Sequence, residues 1–220
     1  MIWWNCSPAK FWNGWGEKMD EQEMEQLTRQ VLGRLFVELE ASGRHVHVTR
    51  EQAQTLFGHS LTPKRPLSQP GQFLANERLT VIGPKGEFRD VAVLGPERKA
   101  AQVEVSLTDA RQLGLDAPLR QSGDVTDTPG VLLRGERGNV QLEQGVIAAQ
   151  RHIHLPPEAA ERFRIKDGQR VKLRTYTARP CVFEDVLVRV SRDYAPYAHL
   201  DYDEANACGF RKGDLGRILP

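Results

Sequence analysis

Two short stretches of the chain carry the same side chains at the same spacing, Arg44-His45-Val46-His47 and Arg151-His152-Ile153-His154. In an extended strand alternate residues face one way, so each stretch presents two imidazoles on one side, about 7 Å apart along the chain. Neutral imidazole is a favoured donor for zinc and similar borderline ions, and a catalytic zinc takes three protein donors and leaves a fourth position open. A single His-x-His is weak evidence, because surface strands carry such pairs by chance. Two of them in matching frames, each preceded by arginine, are a much stronger signal.

The frames extend well beyond the histidines. Arg44-His45-Val46-His47-Val48-Thr49-Arg50-Glu51-Gln52-Ala53 runs parallel to Arg151-His152-Ile153-His154-Leu155-Pro156-Pro157-Glu158-Ala159-Ala160, with Phe57 and Phe163 following. Farther on, Glu104-Val105-Ser106-Leu107-Thr108-Asp109-Ala110 lies against His199-Leu200-Asp201-Tyr202-Asp203-Glu204-Ala205. Each half thereby supplies a third donor at the equivalent place, Glu104 in the first and His199 in the second. Five of the six histidines and one carboxylate occupy repeat-equivalent positions, and His59 is left over. Cys208 falls outside the matched set and reads as a buried thiol. Arg98, six residues before Glu104, could clamp a phosphate bidentately beside the metal donors, although a solvated surface arginine explains the spacing equally well.

These donors need a scaffold of short strands. Strands are predicted at 37–39, 79–82, 90–94, 102–105, 131–134, 140–142, 170–176 and 186–190, with turn sequences such as Gly83-Pro84-Lys85-Gly86 and Lys166-Asp167-Gly168 between them. Short helices are expected after each histidine pair, at about 50–56 and 157–163, the second opening on prolines and an acid suited to a first turn. Met24, Leu27, Val31, Leu32 and Leu35 recur at helical spacing, which predicts an amphipathic helix over 20–36 whose apolar stripe packs on the protein's own core or on a partner. All four tryptophans, Trp3, Trp4, Trp12 and Trp15, lie in a tail before Met19 that is either an aromatic docking segment or an extension upstream of the true start. The duplication implies two strand-rich units in a pseudo-two-fold relation, with the donors meeting where the halves meet. Residues 116–130, rich in Pro, Gly, Asp and Ser, read as a linker.

Composition narrows the functional classes. Thirty basic residues against 29 acidic give no strong positive field, so nucleic acid is not an expected partner. Three separated cysteines argue against a disulfide framework and for a reducing, cytoplasmic location. No apolar run is long enough for a membrane helix, so no membrane partner is expected.

With these residues assembled, the chain resembles the PduL-type phosphotransacylases, the phosphate propanoyltransferases associated with bacterial microcompartments. The resemblance covers about 37–212 and rests on both Arg-His-x-His signatures, Leu94-Gly95-Pro96 with Arg98, Gln102-Val103-Glu104-Val105-Ser106, Leu119-Arg120-Gln121-Ser122-Gly123 and His199-Leu200-Asp201-Tyr202-Asp203-Glu204-Ala205-Asn206. It implies a mainly β (α+β) fold of two small β-barrels with capping helices. One barrel would comprise 150–220 joined by the helix and first strand of 20–46, and the other 47–149. At their interface it implies two zinc ions per chain, held by His45, His47 and Glu104 and by His152, His154 and His199. Arg98 carries over as the phosphate-binding catalytic residue, and Ser122, Arg189 and Asn206 as substrate-binding residues. The implied reaction moves an acetyl or propionyl group between coenzyme A and inorganic phosphate, inside a microcompartment if the N-terminal segment docks on shell or core enzymes. A homo-oligomer is compatible with the sequence. Two rivals remain at this level: a dinuclear zinc hydrolase of thioesters or phosphate esters, and a non-catalytic zinc-braced microcompartment protein.

Overall fold

The computed structural model describes residues 20–219; the tryptophan-rich tail and Met19 lie outside the described residues. α1 (Glu21–Leu35) starts on Asp20, whose carboxylate accepts the Glu23 N–H while the Glu23 carboxylate accepts the Asp20 N–H, a reciprocal cap. Residues up to Gly33 form a separate unit, and Arg34–Pro220 is the compact unit that carries the donors.

In chain order that unit comprises β1 (Val37–Ser42), β2 (His45–His47), α2 (Arg50–Phe57), β3 (Pro63–Pro66), β4 (Phe73–Ile82), β5 (Glu87–Gly95), β6 (Gln102–Val105) and α3 (Leu107–Leu113). It continues with β7 (Leu119–Arg120), β8 (Val131–Arg134), β9 (Asn139–Leu142), β10 (Val146–Ala149), β11 (His152–Leu155) and α4 (Pro157–Phe163). The last elements are β12 (Arg170–Tyr176), β13 (Val182–Val190), β14 (Tyr197–Asp201), α5 (Tyr202–Cys208) and β15 (Leu215–Leu219). Six strands close a barrel in the order β1-β14-β11-β13-β12-β15, and the other nine form a curled sheet, β7-β10-β6-β2-β5-β4-β8-β9 with β3 on β4. The architecture is therefore mainly β, two barrel-like bodies with short helices at their ends.

Each body has its own apolar core. Leu39, Ile153, Leu155, Leu173 and Leu200 fill the barrel, and Val46, Leu56, Val103, Leu113 and Leu133 fill the sheet. Each such side chain contributes roughly 1.5–3 kcal/mol by leaving water. The period of two then decides where the histidines go. Val46 and Ile153, the middle residues of the two His-x-His strands, are fully buried in these cores, so the flanking histidines point to the opposite faces.

The chain changes body at two places, between Ser42 and His45 and again between Ala149 and His152. Each His-x-His strand is thus the first strand after a crossover, which sets it at the boundary between the bodies. Residues 116–130 do more than link: β7 pairs with β10, and Pro118, Arg120 and Pro129 carbonyls accept N–H groups of Ala148, Gln150 and Val146. The unforeseen helices α3 and α5 open on capping boxes, Ser106 with Asp109 and Asp201 with Glu204, and end on left-handed Gly114 and Gly209.

Candidate metal centre and active site

Strand register assembles the donors in equivalent ways. β2 runs antiparallel to β6 with His45 opposite Glu104, and β11 runs antiparallel to β14 with His152 opposite His199. The ligating atoms of His45, His47 and Glu104 lie within 4.8 Å of one another, as do those of His152, His154 and His199. Both sets line one cleft of about 580 Å³, together with Arg98, Ser122 and Arg189. Asn206 is exposed on α5 and is not among the cleft residues.

The imidazoles are oriented from behind. His45 Nδ1 is 2.8 Å from the Gly43 carbonyl, and His152 Nδ1 is 2.8 Å from the Gln150 carbonyl, so each crossover residue holds the histidine two positions on. His47 Nδ1 faces the Leu94 carbonyl at 3.2 Å. A carbonyl can only accept, so these Nδ1 atoms carry protons; His47 and His152 keep a free lone pair on Nε2, whereas His45 Nε2 faces the Glu104 carboxylate. His154 is different: both its ring nitrogens are buried with no hydrogen-bond partner. An orphaned imidazole is costly in a folded interior, and a metal ion held with His152 and His199 would satisfy it. The Tyr194 ring stacks on His154 with centroids 3.9 Å apart and fixes its plane.

Electrostatics keep most of these groups in donor form. Burial pushes His47 and His154 down to about 3, helped by a neighbouring imidazole in each case. Burial, together with His152 and His154, takes His199 well below its ordinary value, and burial lowers His152 too. Burial also works against charge on His45, but the Glu104 carboxylate 3.5 Å away outweighs it and raises that histidine. Glu104 in turn would be raised by burial, yet His45, by charge and hydrogen bond, holds it well below the usual carboxylate range. The field of His152 contributes to that depression, so the first set's carboxylate lies within electrostatic reach of the second set. Buried imidazoles held largely in their neutral form, beside a charged carboxylate, make two donor sets suited to borderline metal ions.

Arg98 reaches the cleft from the loop after β5, its backbone N–H bonded to the Val48 carbonyl at 2.9 Å. Its Nη1 donates to Ser122 Oγ at 3.2 Å, and that hydroxyl donates to Glu104 Oε1 at 3.0 Å. Arg189 lies in register with His154 on β13, with its guanidinium 5.7 Å from the Tyr194 ring.

Several participants were not picked out by residue type. Gln102, Gln69, Glu40 and Tyr194 all touch donors or their supports. Only Gln102 had a readable signal: it sits two residues from Glu104 in a strand and so shares its face. Gln69 and Tyr194 belong to loops whose approach depends on the tertiary fold. The signature arginines also gain a role. Arg44 forms a bidentate pair with Asp109, at 3.1 and 3.0 Å, and Arg151 pairs with Glu204 at 2.6 Å. Asp109 and Glu204 are the repeat-equivalent acids of the capping boxes, so each arginine ties its His-x-His strand to the helix after the third donor.

The chain also has close relatives. The family model described as phosphate propanoyltransferase matches residues 38–211. A phosphate propanoyltransferase of Listeria monocytogenes is 50% identical over 198 residues, covering 89% of this chain and 93% of that protein. One from Enterococcus faecalis is 52% identical over 184 residues, covering 83% and 87%, and one from Thermotoga maritima is 47% identical over 201 residues, covering 90% and 94%. With a match that spans both halves of the duplication, the chain belongs to the phosphate propanoyltransferase family of transferases.

Proposed function

We propose that this protein interconverts an acyl-CoA and inorganic phosphate with the acyl phosphate and free coenzyme A, acting on propionyl or acetyl groups with two zinc ions. One ion is held by His45, His47 and Glu104, the other by His152, His154 and His199. The observation that carries the reading is the convergence of two three-donor sets and two arginines on one cleft. Bound zinc supplies Lewis-acid polarisation of carbonyl and phosphate oxygens and an affinity for thiolate.

The chain's own groups then account for binding and orientation. Arg98 and Arg189 bring fixed positive charge to the cleft, and a guanidinium fork matches two phosphate oxygens. Arg98 is partly shielded from water: burial lowers its pKa and the Glu104 carboxylate raises it, the balance falling below the ordinary guanidinium value. Among the described residues no serine hydroxyl or cysteine thiol is hydrogen-bonded to a histidine, and the hydroxyls of Ser68 and Ser122 are given to Glu40 and Glu104. No side chain is therefore prepared as a nucleophile. The reaction is direct: a phosphate oxygen attacks the thioester carbonyl, the carbon–sulfur bond breaks, and coenzyme A leaves as thiolate. Holding both substrates together makes the step effectively unimolecular.

The test is isotopic. Labelled phosphate should enter acyl phosphate only when coenzyme A is present; exchange without it would reveal an acyl-enzyme and contradict direct transfer. Release of free acid from acyl-CoA without dependence on phosphate would support a zinc hydrolase instead.

A further inference from the structure

Gln102 is almost fully buried, at 2% exposure, yet it lies in none of the donor sets. A side-chain amide in such a place must find its partners inside the protein. Its Nε2 donates to Glu104 Oε1 at 2.5 Å and to Ser122 Oγ at 2.9 Å, and its Oε1 accepts the Gly123 N–H at 2.6 Å. The partners dictate this orientation. The opposite amide flip would put a carbonyl against a carboxylate and an NH2 against an N–H.

The consequences spread to three neighbours. Ser122 Oγ accepts from Gln102 and from Arg98 and donates its proton to Glu104, so both lone pairs and its hydrogen are committed. Glu104 Oε1 accepts from both Gln102 and Ser122, and the same oxygen lies 3.5 Å from His45 Nε2, so the two donors fix the carboxylate where it meets the first donor set. Gly123, at φ +100°, turns the backbone so that its N–H meets the Gln102 carbonyl and Ser122 is delivered to the cluster.

We propose that Gln102 is a positioning residue that fixes the Glu104 carboxylate for the first zinc ion and, through Ser122, sets the direction of Arg98. Gln102 thus couples metal affinity at the first donor set to phosphate binding. Ser122, with every hydrogen-bonding position used inside the cluster, belongs to the same support. This inference rests on the zinc and phosphate roles proposed above.

Two variants separate positioning from simple packing. Gln102→Leu keeps the volume and removes all three hydrogen bonds. Gln102→Glu keeps the acceptor for Gly123 but replaces the donor group by a second carboxylate oxygen beside Glu104. Zinc affinity is measured by competition with a chromophoric chelator, and KM is measured separately for phosphate and acyl-CoA on the zinc-loaded protein. The expected result is one site weakened by about 10–100-fold in both variants, the scale typical of losing a ligand's hydrogen-bonding support. The other site should be unchanged, the phosphate KM raised several-fold, and the acyl-CoA KM within about twofold of wild type. If Gln102→Leu does not fold, Gln102→Glu decides. Folded Gln102→Glu with two wild-type zinc affinities and an unchanged phosphate KM would overturn the inference alone. A wild-type protein that binds no zinc would overturn the proposed function and this inference together.

Discussion

His47 and His154 set a pH limit on the metal-free protein. Their pKa values lie near 3 in the folded chain against 6.5 for an ordinary histidine. Below about pH 6.5 the unfolded chain takes up protons that the folded chain refuses, so these groups favour folding above that pH and lose the effect as pH falls towards 3. Each can remove up to about 1.4 kcal/mol per pH unit. The melting temperature of the chelated protein is therefore expected to fall between pH 7 and pH 5, and His154→Gln should flatten the slope. At the same scale, Arg98→Ala should raise the phosphate KM about tenfold or more, since a charge-assisted fork to phosphate is lost; an unchanged KM would remove Arg98 from that role. Residue type and spacing made these donors legible, because metal chemistry restricts which side chains serve. They did not single out the polar supports: Gln102 shares the face of Glu104 by its spacing alone, but Glu40 is an ordinary residue until strand register sets it beside His199.

Among the elements, the signature arginines join strand to helix. Arg44 also lies over the Phe88 ring at 4.0 Å, and Arg151 over Phe183 at 5.8 Å, so each guanidinium is packed as well as paired. Replacing Arg44 by Ala leaves the buried Asp109 carboxylate without its cation, which should cost about 1–3 kcal/mol and lower the melting temperature by several degrees. Thermal denaturation of Arg44→Ala beside Arg44→Lys measures it; equal melting temperatures for Ala and wild type would show that the pair carries no stability. Helices α3 and α5 show what was legible but unused. Ser106 and Gly114, like Asp201 and Gly209, are ordinary start and stop residues, but seven-residue helices leave too little hydrophobic period to draw attention. The closing strands β7 and β15 are harder still, since their pairing depends on partners distant in sequence, and β3 is a short exposed strand with a proline at each end.

Across the whole molecule the duplication explains both stability and function. Each body closes over its own apolar core, and the donors occupy the faces turned away from those cores. Zinc is therefore not required to build either core. Chelation is expected to abolish turnover while leaving the far-UV circular dichroism of a β-rich fold, with the melting temperature raised again by several degrees on adding zinc, as binding to the folded state requires. Collapse of the spectrum on chelation would instead make the metal a folding element. The central claim is that two zinc ions per chain support phosphate-dependent acyl transfer. Its most direct test is a titration of the metal-free protein with zinc, following coenzyme A release from propionyl-CoA with and without phosphate. The account predicts activity that needs phosphate and saturates at two zinc ions per chain; coenzyme A release that ignores phosphate, or full activity without zinc, would contradict it.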